Sequence, residues 1–136
     1  MTQALNQPLP ALSLAVVGVH HPNKDKSHRR FEIELCAPGE PVQLLPEPKN
    51  RHDERAVAVF SSRDVQLGYL TAERCGRIGA LIREGREVRA AFQASAKFGA
   101  WIRVAFDGDE PRIPAAEKIG SEADDGFYPD ESWPEN

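Results

Sequence analysis

Cysteine is scarce in this sequence: Cys36 and Cys75 are the only two among 136 residues. They form no metal-like spacing and allow one disulfide at most, so they read as reduced packing thiols of a cytoplasmic protein. Long hydrophobic runs are missing too, and no stretch approaches the ~20 apolar residues of a membrane-spanning helix. The apolar segment Ala11–Val19 has no basic residue before it, which argues against a secretory signal and for a first strand. Nucleophile elbows of the Gly-x-Ser-x-Gly kind, Walker loops and dinucleotide fingerprints are all absent, and neither cysteine has a histidine close in sequence. These gaps weigh against an enzyme. The histidines invite a metal reading, yet there is no His-x-x-x-His pair, and the neighbours His20 and His21 would point to opposite faces of a strand. Neither a metal nor a cofactor is expected.

Charge is distributed unevenly. Residues 107–136 hold ten acidic and two basic side chains, a net of −8, and residues 1–106 hold fifteen basic and eleven acidic, a net of +4. The body is mildly basic, which is compatible with a phosphate-binding face. Residues 1–10 carry two prolines and no charge and read as a flexible arm. The acidic, proline-bearing and aperiodic segment 108–136 reads as a disordered tail, with Phe127, Tyr128 and Trp133 as its few sticky points.

Between them lies one domain, residues 11–107. Leu12 to Val19 reads as a strand that breaks at His20-His21-Pro22, and Asn23 to Ser27 as a loop. Phe31, Ile33 and Leu35 alternate with Glu32 and Glu34, the period of a half-buried strand. Further strands are expected over Val42–Leu45, Ala56–Phe60, Val65–Leu70, Arg86–Ala94 and Ala100–Phe106. A helix should start at Thr71 as the cap, bury Ala72, Cys75, Ile78, Leu81 and Ile82, and close at Gly85. The fold class this implies is mainly β: a small oligonucleotide-binding-like or SH3-like barrel of about six strands with one inserted helix.

The polar groups with most to offer sit at Asn50-Arg51-His52-Asp53, a loop between two strands. Asn50 and Asp53 either bond to local backbone and hold the loop, or present hydrogen bonds to a ligand hydroxyl or base edge. Tyr69 is either half core or a stacking platform. Phe98, at a turn tip before Gly99, is harder to explain as core and suits base stacking. Lys97, Arg51 and Arg55 lie near these positions and suit phosphates, whereas Arg74, Arg77 and Arg83 read as the solvated face of the helix.

The string Pro48 to Val59 (PKNRHDERAVAV), then Leu67-Gly68-Tyr69-Leu70 ahead of a helix, resembles the HIRAN domain, as do Val17-Gly18-Val19-His20-His21 and Val42-Gln43-Leu44. The resemblance spans about residues 14–106. It implies a modified oligonucleotide-binding barrel that, in front of fork-remodelling translocases, captures a single-stranded DNA 3′ end. It implies that Asn50 and Asp53 contact the terminal nucleotide, with Asp53 accepting from the 3′ hydroxyl, and that Phe98 stacks. His52 stands where the family has an aromatic residue, His20 and His21 where it has an arginine and a tyrosine, and Tyr69 where it has a histidine near a phosphate. An expected lysine is replaced by Ala72. The hydroxyl-reading pair is kept while the phosphate grip is softened, because a neutral histidine substitutes poorly for arginine. The expectation is a free-standing DNA-end-binding module of repair or replication, working with a DNA-processing enzyme in trans and without a membrane. The alternatives are a protein-interaction module whose acidic tail docks or autoinhibits, and, last, a metal-dependent hydrolase using His52-Asp53.

Overall fold

The computed structural model describes residues 9–114. Most of the expected arm and tail, residues 1–8 and 115–136, lies outside the described residues. Six strands, β1 (Leu12–Val17), β2 (Pro41–Pro46), β3 (Val57–Phe60), β4 (Gln66–Leu70), β5 (Val88–Ala96) and β6 (Gly99–Phe106), form the barrel, with α1 (Arg29–Leu35) and α2 (Ala72–Arg83) inserted. The strands close in the order β1-β4-β3-β2-β5-β6, and all six pairings are antiparallel. Closure leaves no long free sheet edge.

Alternation explains the core. Ile102, Val104 and Phe106 of β6 are buried with Leu14 and Val16 of β1, while Trp101 and Arg103 face outward. Each of these buried side chains contributes about 1.5–3 kcal/mol relative to exposure. From α2, Cys75, Ile78 and Leu81 are buried as the periodicity requires, with Ile82 packed at their edge; Ala72 is exposed instead, because it sits in the first turn, outside the packed stripe. Thr71 occupies the cap position but makes no side-chain cap bond; its carbonyl accepts from the amides of Arg74 and Cys75. The ladder at the closing seam between β2 and β5 has two register pairs, Pro41 with Ala91 and Val42 with Ala90, and a cavity of about 640 Å³ opens there. None of the site residues named above lines it.

The expected strand over Phe31–Leu35 is a helix. Its three alternating apolar residues do not share a buried face, since Ile33 is 1% exposed whereas Phe31 and Leu35 are 60% and 50% exposed. The buried positions are Arg29, Glu32 and Ile33, spaced three and four apart, and Arg29 and Glu32 make tertiary bonds that alternation cannot show. Glu32 accepts from Ser61 Oγ and from Arg63 Nε, both at 2.7 Å. Polar anchoring therefore wins over the period-2 pattern in this seven-residue segment.

Candidate nucleic-acid interface

The loop between β2 and β3 is organised by two side chains. Asn50 is 7% exposed, and its Oδ1 accepts from the amides of His52 and Asp53 at 2.9 and 3.1 Å. Its Nδ2 donates to Glu47 Oε1 at 3.0 Å. The same Glu47 oxygen accepts from the Tyr69 hydroxyl at 2.8 Å. Asp53 uses Oδ1 to accept from the Arg55 amide at 2.8 Å, with Arg55 Nε at 3.4 Å. Its Oδ2 makes no hydrogen bond among the described residues. The local reading of this pair thus holds for Asn50 fully and for Asp53 in one oxygen only. His52 is exposed beside them.

Tyr69 is 3% exposed, so its ring is core rather than an open platform. The Arg29 guanidinium lies 5.8 Å from that ring's centre, a cation–π contact. Arg29 also donates to Gly18 O at 2.7 Å and to Asn23 Oδ1 at 2.6 Å, which fixes the base of the turn carrying His20 and His21. Both histidines sit on that turn, beyond the end of β1, and are exposed; the opposite-face argument for a strand does not apply to them. One network therefore links the Asn50 loop, Tyr69 and the His20–His21 turn. A cleft of about 300 Å³ opens along it, with Glu47, Tyr69, Arg29, Asn23 and Lys24 in its walls.

Phe98 stands apart from this cleft. The hairpin from β5 to β6 turns at Lys97 and Phe98, and the Phe98 ring is 5% exposed, packed edge-on against Trp101. The turn tip reads as solvent-facing from sequence, but the ring folds inward against its own hairpin. Arg30 holds the hairpin by donating to Ala96 O at 2.9 Å and to Lys97 O at 2.8 Å. Local sequence patterns do not point to Arg29, Arg30 or Glu47 as site residues. The signal for Glu47 is its place three residues before Asn50; the arginines fall in a segment that reads as loop and strand.

Among the described residues no group of three or more His, Cys, Asp or Glu side chains is placed to hold a metal. Burial pushes the Cys36 thiol up to about 11 and also raises Cys75, so both stay protonated near neutrality. No helix among the described residues is long and apolar enough to cross a membrane.

A family model for the HIRAN domain matches residues 11–105. The chain belongs to the HIRAN family. Two solved structures share the fold of this HIRAN protein at 18% identity each. A protein from Lactobacillus plantarum aligns with a TM-score of 0.60, covering 73% of this chain and 92% of that one. The HIRAN domain of human HLTF aligns with a TM-score of 0.56, covering 90% of this chain and 94% of that one. No curated protein matches the chain.

Proposed function

We propose that this HIRAN protein is a DNA-binding module, without catalytic activity of its own, that captures 3′ ends of single-stranded DNA. The observation that carries the reading is Asp53: one carboxylate oxygen is committed to its own loop and the other has no hydrogen-bond partner among the described residues. A carboxylate accepts from a sugar hydroxyl and repels a terminal phosphate, so an Asp at this place discriminates between the two ends. Asn50 keeps the loop in shape, and His52, His20 and His21, all exposed, would meet base or phosphate. The module works in the cytoplasm, in repair or replication, beside a DNA-processing enzyme supplied in trans.

The test is fluorescence anisotropy at low salt with short single strands ending in a 3′ hydroxyl or a 3′ phosphate, and with blunt duplex. The 3′-hydroxyl strand should bind tightest. Asp53→Ala should erase that preference, by about tenfold or more for a charge-assisted hydrogen bond. Equal affinity of the wild-type protein for both 3′ termini would overturn the end-capture reading.

A second reading, a protein-interaction module, is favoured by the seam. Beyond Val42 the strands β2 and β5 part, and Leu45 is 53% exposed beside the cavity there. Failure of every nucleic-acid probe would move the function to that groove.

A further inference from the structure

With Phe98 buried, the aromatic ring that solvent reaches at this hairpin is Trp101. It is half-buried, its centroid is 5.4 Å from that of Phe98 and the two planes stand at 86°. Trp101 points out of the barrel, since Ala100 and Ile102 on either side of it are fully buried. Ala15 of β1 and Ala94 of β5 are its cross-strand partners. With an alanine on each neighbouring strand, the indole has low ground on both flanks and offers a platform of base size.

Arg103 is the next outward residue, flanked by Ser13 and Ala91. It donates from Nη1 to Ser13 Oγ at 2.9 Å, and Ser13 donates in turn to Gln93 Oε1 at 2.8 Å. Two buried donors here, Arg103 Nε and Gln93 Nε2, have no hydrogen-bond partner among the described residues. Gln93 itself is 2% exposed. Arg103 makes no ion pair among the described residues, and neither do Arg30 and Lys97 at the hairpin. By contrast, Arg63, Arg86 and Arg89 each rest on a carboxylate. A part-buried guanidinium with no ion-pair partner among the described residues, beside unpaired donors, can take an anionic acceptor. Among the described residues the Ser13 hydroxyl is the one hydrogen-bond partner of Arg103, so its side chain can turn without breaking an ion pair.

We propose that the outward face of β6 is a second single-stranded DNA subsite, where a base stacks on Trp101 and the adjoining phosphodiester sits on Arg103. It rests on the single-strand reading above but uses none of the end-capturing loop. Asp109 and Glu110 share a hollow with Arg103 and Arg112, and they bound the strip by repelling further phosphates.

The experiment uses the full chain carrying Trp133→Phe, which leaves Trp101 as the only indole of the two in the sequence. Indole fluorescence and anisotropy are followed with 3′-hydroxyl oligothymidylates of about two to about ten nucleotides, spanning typical site sizes. Longer strands should quench Trp101 and the shortest should not. Arg103→Gln should weaken the longer strands about threefold to tenfold and reduce the salt slope by about 0.7, the loss of one phosphate contact, with short-strand affinity and 3′-hydroxyl preference unchanged. Trp101→Phe should keep most of the long-strand gain and Trp101→Leu should lose it; if the leucine variant does not fold, Arg103→Gln decides alone. Long strands that bind with 3′ preference but neither quench nor respond to Arg103→Gln would overturn the subsite and leave end capture standing. Quenching without any 3′ preference would do the reverse. No binding of any strand would remove both.

Discussion

The Tyr69 hydroxyl and the Asn50 carboxamide meet on a single atom, Glu47 Oε1, at 2.8 and 3.0 Å. Through that oxygen a residue of β4 sets the shape of a loop 19 positions earlier, taking Tyr69 and Asn50 as the ends (69 − 50). Tyr69→Phe deletes one bond and should cost about 1 kcal/mol, whereas Glu47→Ala strands both partners and should cost about 2–3 kcal/mol. Thermal unfolding gives the cost, and amide exchange at His52 and Asp53, whose N–H groups bond to Asn50, reports whether the loop loosens first. Equal protection of those amides in wild type and Glu47→Ala would show that the loop holds itself.

Two glycines flank β1 and admit no side chain. A Cβ on Gly68 of β4 would collide with the Val17 carbonyl, and one on Gly99 of β6 would collide with the Val16 carbonyl. Both also hold positive φ, at 154° and 155°. Gly68→Ala and Gly99→Ala should each destabilise the barrel by about 3 kcal/mol, because the obstacle is backbone and cannot turn aside. Gly39→Ala is the control: its φ of 92° is strained too, but nothing lies within 4 Å, so it should cost less. Chemical denaturation of the three variants ranks them, and an equal cost at Gly39 would place the effect in φ alone.

Much of this architecture is legible in the sequence because it rests on local patterns. Continuous apolar runs mark β1 and β3, which are buried almost throughout, the two-apart spacing of Ile102 and Val104 marks β6, and the polar Asn50–Asp53 cluster between strands marks the loop that the structure builds there. What stays hidden depends on long-range polar contacts. α1 is held by Glu32 meeting Ser61 and Arg63, about thirty residues away, and no periodicity reports such a bond. Phe98 reads as a turn-tip ring, and only its fold-back onto Trp101, with Arg30 fastening the hairpin, reveals that it is buried.

Arg86 and Asp107 form a forked pair, with both nitrogen–oxygen distances at 2.9 Å. The Arg86 hydrogen bonds, with help from the Leu9 amide, hold the Asp107 carboxyl below its ordinary 3.8. The folded value is therefore lower than the unfolded one, so the pair's stabilisation is present above the unfolded value and is lost as pH falls through the folded value. The gap in melting temperature between wild type and Asp107→Asn should narrow as pH drops from about 5 to about 2. Asp25, lowered by its Ser27 bonds, titrates in both proteins and cancels in the difference. A gap that stays constant across this range would assign the pair no net role.

The acidic tail is the remaining lever on binding. Residues 115–136 hold seven acidic and one basic side chain, a net of −6, so residues 1–114 carry −4 − (−6) = +2. The stem of this tail already meets the barrel, where Glu110 pairs with Arg89 at 3.2 Å and Pro111 lines the seam. Glu110 and Asp109 also stand beside Arg103. A chain of that charge tethered next to a basic strip competes with DNA at high local concentration. Removing residues 115–136 should tighten single-strand binding several-fold at low ionic strength, and the gain should fade at about 0.5 M salt, where the Debye length falls to a few ångströms. Supplying the excised peptide in trans should weaken binding again. If truncation leaves affinity unchanged at low salt, the tail does not shield the DNA-binding face.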